Sequence, residues 1–167
     1  MSGRVLLAGG GWGDDATRLV RAHDGAPPAV GDVLPLPAFL ALDDEARVGV
    51  SVWLAPADDP AQVAPFVDRL PLIAVDFPSF RDGRGYSTAA LLRTRYGFRG
   101  DLRAIGDVLI DQLFYLRRVG FTSFALRGDQ DRRLAAAALH TFSDVYQGSV
   151  DQPLPHFRRR RPAGAPT

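Results

Sequence analysis

A chain of 167 residues with 46% hydrophobic and 23% charged side chains is long enough for one domain with a single core. A formal net charge of +1 recruits neither nucleic acid nor an anionic membrane. The absence of cysteine excludes disulfides, thiolate catalysis and cysteine-ligated clusters, and the absence of lysine excludes Schiff-base chemistry and a lysine base.

The first 47 residues read as an irregular N-terminal arm. "RVLLAGGGWG" suggests a short strand, a Pro/Gly-rich stretch follows, and "PAFLAL" suggests one short helix. No signal-peptide pattern or membrane-length apolar run is visible, so a cytoplasmic protein with no membrane partner is expected.

The α/β core is expected over residues 48–150. "VGVSVWLAP" is an apolar, β-branched run suited to a buried strand. In "ADDPAQVAPFVDRL", Asp59 is an N-cap and Pro60 takes the first helical position, with Pro65 set to kink or shorten the helix. "PLIAVDF" is the second strand, Ser87 the N-cap of the next helix and Gly97 its stop. "DLRAIGDV" is a third strand, with Asp107 capping a helix that ends at Gly120. "FTSFALRG" is a fourth, and Asp129 caps a long last helix through "QDRRLAAAALHTFSDVYQG". Residues 151–167 read as an irregular Arg/Pro-rich tail.

Four consecutive strand–helix units predict an α/β fold with a parallel sheet, either doubly wound or half-barrel-like. Its strand C-terminal edge is where ligands bind in such folds. That edge gathers the 56–59 loop, the long segment "DFPSFRDGRGYS", the Gly106–Asp107 turn and the Arg127–Asp129 turn.

The chemistry of "DFPSFRDGRGYS" points to an oxyanion. Arg81 and Arg84 offer planar forks for phosphate, sulfate or carboxylate. Gly83 and Gly85 free backbone N–H groups, and the helix N-terminus behind Ser87 adds partial positive charge. Tyr86 can donate or stack, and Asp82 can orient an arginine. A charged turn with surface ion pairs is the plainer reading of the same residues.

Arg103 lies in a strand and needs a carboxylate, for which Asp76 or Asp107 would serve. Asp107 and Asp111, with Asp76, could hold magnesium, although capping explains both aspartates. Gln112, Tyr115 and Arg118 form the solvent or partner face of their helix. "GGGWGDD" fails the dinucleotide fingerprint and reads as a turn. His23, His140 and His156 lack ligand spacing, and the Arg158–Arg161 run is a solvated cluster with no nucleic-acid-reading fold beside it.

Three stretches, "FRDGRGYS", "LLRTRYGFRGDLRAIGDV" and "DQLFYLRRVGF", resemble an uncharacterised proteobacterial family labelled as oxidoreductases of sulfite reduction. The resemblance runs from about Val48 through "FSDVYQGSVDQPLPHFRRR". It implies a cytoplasmic role beside the sulfite reductase of sulfate assimilation. It also implies a functional surface of Asp82, Gly83, Arg84, Tyr86, Ser87, Arg93, Arg103, Gly106, Asp107, Asp111 and Gln112. Val119 stands where many members carry cysteine, so a cysteine-dependent redox role does not hold here.

Two functions follow as expectations. One is an accessory protein or oxidoreductase component of sulfite reduction that binds an oxyanion, or sulfite reductase itself, through the arginine-rich edge. The other is a small enzyme on an anionic substrate, with Asp82, Tyr86 or Asp107 as catalytic candidates and an aspartate as general base or metal ligand. No flavin or nicotinamide fingerprint is present, and either cofactor without its motif stays open.

Overall fold

The computed structural model describes residues 3–22 and 25–159. It is a mixed α/β fold built on one eight-strand sheet. Strands β1 (Arg4–Leu7) and β2 (Trp12–Asp14) form an antiparallel hairpin, and β3 (Arg18–Leu19) and β4 (Asp32–Pro35) follow. Helix α1 (Leu36–Ala41) leads to β5 (Ser51–Leu54), β6 (Leu72–Phe77) and α2 (Arg84–Thr94). Then come β7 (Asp101–Gly106), α3 (Leu113–Arg118), β8 (Ser123–Phe124), α4 (Arg132–Ala138) and α5 (His156–Arg159).

The order across the sheet is β2-β1-β8-β7-β6-β5-β4-β3. Strands β3 to β8 are parallel and each pairs with its successor, whereas β1 joins β8 antiparallel. The sheet is therefore mixed, not purely parallel. The expected irregular arm instead supplies β1 to β4, and the unit β4–α1 lies outside the four strand–helix units counted from sequence.

Pairing each strand with the next in one rotational sense keeps every right-handed crossover on the same face. Leu6, Leu34, Val52, Ile73, Leu102 and Phe124 point to that face and pack in the main core with Leu92, Leu113, Leu116 and Ala135 of the helices. Alternate residues, Val33, Leu72, Ala74 and Ile105, form a separate cluster on the other face. The single winding selects the half-barrel over the doubly wound alternative.

Chain connectivity sets how far the sheet curls. β2 and β3 are its two opposite edges, yet only Asp15, Ala16 and Thr17 separate Asp14 from Arg18. Four Cα–Cα steps reach at most about 14 Å. The edges must therefore approach at that point, with the 15–17 segment as a strap between them.

Local chemistry accounts for the departures among the helices. Pro60–Phe66 is a 3-10 helix, capped as expected by Asp59, whose carboxylate accepts the Ala61 N–H at 2.9 Å. Pro65 has no N–H to donate to the carbonyl four residues back, which disfavours the α form. Asp59→Ala should cost about 1 kcal/mol in urea unfolding, and an unchanged midpoint would show that the cap holds nothing.

Helix α2 starts at Arg84, so Ser87 is an exposed residue inside it and not its cap. Gly97 does follow its end, with φ +69°, and the Phe98 N–H reaches back to the Leu92 carbonyl. Asp107 caps no helix: Leu109 precedes the 3-10 turn Ile110–Gln112 that leads into α3, and Gly120 at φ +106° ends α3 as expected. Helix α4, expected as the long last helix, is far shorter than its apolar pattern suggests, and its cap is Asp131, not Asp129. Beyond Ala138, Thr141 competes for a backbone partner: its hydroxyl donates to the Ala138 carbonyl. Among the described residues no helix is long and apolar enough to cross a membrane.

Candidate functional site

The loop after β6 is braced by its own charges. Arg84 donates to both carboxylate oxygens of Asp82, at 3.0 and 2.7 Å. Those hydrogen bonds, helped by the Arg84 N–H and charge, hold the Asp82 carboxyl below its usual range and raise the Arg84 guanidinium. Arg81 lies 5.4 Å over the Phe80 ring on the surface. Asp107 accepts the Phe80 N–H at 2.9 Å, and Gln112 donates to the Phe80 carbonyl at 2.9 Å, so both backbone groups of Phe80 are held. Asp107 also accepts from Arg127 at 2.7 Å, and its carboxyl lies below the ordinary value because of the Phe80 N–H first and Arg127 second.

The glycines and Tyr86 serve packing. A Cβ on Gly85 would lie 2.5 Å from the Phe77 ring, so glycine here lets α2 approach β6. Gly83 takes the N-cap position with open space around it. Tyr86 sets its half-buried ring edge-on to Phe77 at 5.6 Å, and burial, then the Asp111 charge, pushes its hydroxyl pKa up. Arg93 sits at the opposite end of the sheet. It donates to the carbonyls of Phe98, Gly100 and Gly120, next to the starts of β7 and β8. Asp111 is exposed, and among the described residues no group of three His, Asp or Glu side chains comes together to hold a metal.

The edge holds together beyond this loop. Arg127 bridges Asp107 and Asp129, the second through two contacts of 2.7 Å, and these raise the Arg127 pKa and depress that of Asp129. Gln130 accepts the Ile110 N–H at 3.0 Å. His156 pairs with Asp144 and His140 with Arg117, whereas His23, Arg160 and Arg161 lie outside the described residues.

The inner face of the half-barrel gathers several charged groups around one cleft. A cleft of about 400 Å³ opens there between the sheet and the chain that follows β2. Its floor is made by Ala74, Ile105, Gly106 and Ala125, and its charged walls by Asp15, Arg21, Arg103 and Arg127. These side chains belong to β6, β7 and the loop after β8 on one side, and to the 15–21 segment on the other.

Arg103 is held from all three of its nitrogens. Its Nε donates to Ser123 at 3.0 Å, Nη1 to Asp15 at 2.8 Å and Thr17 at 3.0 Å, and Nη2 to Asp101 at 3.0 Å. Its partners are therefore Asp15 and Asp101, not the expected Asp76 or Asp107. Burial pushes the Asp15 carboxyl up, but hydrogen bonds from Thr17 and the Arg103 charge outweigh it and the net direction is down. This network pins the strap across the inner face.

Arg21 is the contrasting case. Its guanidinium lies 5.2 Å over the Trp53 ring and its side chain is 49% exposed. Its ion-pair partner is Asp76, at 2.8 Å on the penultimate residue of β6. Asp76 is buried, and among the described residues its Oδ1 accepts no hydrogen bond of good geometry even though the Arg21 charge is close. Sequence reasoning named Asp76 but missed Arg21 and Trp53. The alternation in "SVWLA" is a usable signal for Trp53; Arg21 stands in a Pro/Gly-rich stretch with no pattern.

The model of a family described as bacterial proteins of unknown function (DUF934) matches residues 51–157. The chain belongs to this family. Within the DUF934 segment lie Trp53, Asp76, Arg103 and Arg127, whereas the strap and Arg21 precede it. No curated protein and no solved structure matches the chain.

Proposed function

We propose that this DUF934 protein is an accessory component of assimilatory sulfite reduction that binds a small sulfur oxyanion in the inner-face cleft. The observation that carries the reading is Arg21: half-exposed, stacked on an aromatic ring, held by one carboxylate among the described residues, and facing a cavity at the strand C-terminal mouth. A planar guanidinium with free donors is the group that recognises an oxyanion in two-point fashion. Arg127 lines the same cleft with its charge held by Asp107 and Asp129, so Arg21 is the anion-recognising group, while Gly106 and Gly128 keep the approach open. The sulfur chemistry rests on the resemblance of "FRDGRGYS" and "DQLFYLRRVGF" to proteins labelled for sulfite reduction. The exposed Arg81–Arg84 loop at the same edge is then the surface that meets the reductase. A cytoplasmic location follows from that role.

Trp53 reports on Arg21, so binding can be read by its fluorescence in a Trp12→Phe background. Sulfite is expected to give a saturable change that chloride does not, and Arg21→Gln should abolish it. A signal that never saturates, or that survives Arg21→Gln, sinks the reading. Co-purification with sulfite reductase tests the accessory role separately.

A small enzyme on an anionic substrate is the second reading, favoured by Asp76. Asp82 is occupied by Arg84, and Asp107 by Phe80 and Arg127, whereas buried Asp76 Oδ1, ion-paired with Arg21, has no well-aligned hydrogen-bond donor among the described residues. Asp76 is thus the carboxylate placed to act as general base on an anion held by Arg21. Turnover in the Asp76→Asn variant would remove this reading.

A further inference from the structure

The opposite end of the sheet has a pocket of different character. Residues just before β5 and β6, together with the ends of α1 and of the 3-10 helix Pro60–Phe66, enclose about 340 Å³. Phe39, Phe66, Val48 and Leu70 supply an apolar lining, and Arg47 and Arg69 stand beside it. The volume lies at the lower end of the range for small-molecule sites, roughly 300–1,000 Å³.

The two arginines have different duties. Arg47 is spent on structure: it donates to the carbonyls of Phe39 and Leu40 at the end of α1 and to Asp44, and its guanidinium lies 4.8 Å from the Phe66 ring centre. That is the work of a residue closing a helix C-terminus. Among the described residues Arg69 holds no carbonyl. It stands 5.7 Å over the same Phe66 ring, its side chain is 61% exposed, and its only ion-pair contact among the described residues is 3.8 Å, to the Asp44 oxygen that Arg47 already engages at 2.8 Å. One carboxylate shared by two guanidiniums leaves a positive charge at the rim of an apolar cavity. Val48, at 73% exposure, keeps the mouth open and apolar.

The geometry points to a second binding site, for a small carboxylate with an apolar body, such as a medium-chain or aryl carboxylate. The body lies against Phe66, Phe39, Leu70 and Val48, and the carboxylate pairs with Arg69, displacing its loose contact with Asp44. Because Arg47 keeps its carbonyl partners, the ligand does not disturb α1.

The test uses ¹⁵N-labelled full-length protein titrated with octanoate, with octylamine and octanol as controls. Octanoate is expected to shift amides of residues 39–49 and 66–70, with octanol weaker and octylamine silent. Arg69→Gln should weaken octanoate by about tenfold or more, the scale of a hydrogen bond to a charged group, with the rest of the spectrum unchanged. Arg21→Gln, at the other end of the sheet, should leave octanoate binding intact. The site is overturned if octylamine binds as well as octanoate, if Arg69→Gln binds unchanged, or if the shifts map to the inner-face cleft and vanish in Arg21→Gln.

Discussion

Arg103→Ala lowers the free energy of unfolding by about 3–5 kcal/mol, the range for breaking a buried ion pair from one side. The substitution removes a side chain that is 10% exposed and takes from Asp15 and Asp101, at 20% and 30%, the guanidinium that pairs with both. It also frees the strap, because Asp15 and Thr17 are held to the inner face by Arg103 Nη1. Urea unfolding followed by far-UV circular dichroism measures the loss, which is a large part of the stability of a domain this size. Arg103→Lys is also expected to destabilise, since an ammonium cannot reach Ser123, Asp15, Thr17 and Asp101 together as the guanidinium fork does.

The same network makes a pH prediction. The Asp15 carboxyl is lowered from its ordinary value of 3.8 in the fold. Its contribution to stability is therefore complete above that ordinary value and disappears as pH falls through the depressed one. Wild-type stability should drop on acidification below about pH 4, and the part of it that Asp15 draws from Arg103, beyond what the Thr17 hydrogen bonds supply, should be missing in Arg103→Ala. An acid limb of equal depth in both proteins would show that Asp15 draws nothing from Arg103.

Gly106→Ala is the second large effect, expected at about 3 kcal/mol or more. Gly106 ends β7 with φ +94°, and a Cβ there would lie 2.4 Å from the Phe77 carbonyl oxygen and 2.7 Å from Asp76 Oδ1. Both obstacles are fixed. The Phe77 carbonyl accepts the Asp107 N–H at 2.7 Å, and Asp76 is buried against Arg21. The alanine must move one of them, so the strand end at the mouth of the cleft shifts and oxyanion binding falls together with stability. Gly83→Ala is the control: φ is −80° and a Cβ meets nothing within 4 Å. Its effect should stay within about 0.5 kcal/mol. Equal thermal midpoints for Gly106→Ala and wild type would contradict the packing at this edge.

These effects show how the candidate site was partly legible. "DFPSFRDGRGYS" was expected as a long loop at the strand C-terminal edge; the structure places the segment at that edge, but its first two residues end β6 and its last four begin α2, so the loop itself is only residues 78–83. Its density of charge, which suggested a ligand, is used largely within the loop: Arg84 on Asp82, Asp107 and Gln112 on Phe80. Short-range partners of this kind lie within two residues or across one strand end and can be weighed from sequence. Arg103 was marked as needing a carboxylate, and Asp101, two residues away on the same strand face, was within reach of a period-two argument. Asp15, 88 positions away, was not.

Strand and helix existence from Val48 onward follows from local physics: apolar runs bounded by Gly and Pro, the Asp59 cap, the Gly97 and Gly120 stops. The lack of cysteine and lysine bounds the chemistry outright. The tertiary structure alone decided three things. It turned the first 35 residues into half of the sheet, because strands as short as Arg18–Leu19 exist only by pairing with neighbours and carry no periodicity of their own. It chose the half-barrel, because winding direction is a property of the crossovers together and not of any one unit. And it brought Arg21 and Trp53 against Asp76, because a strap of three residues forces the two edges of the sheet toward each other, a closure no local pattern encodes.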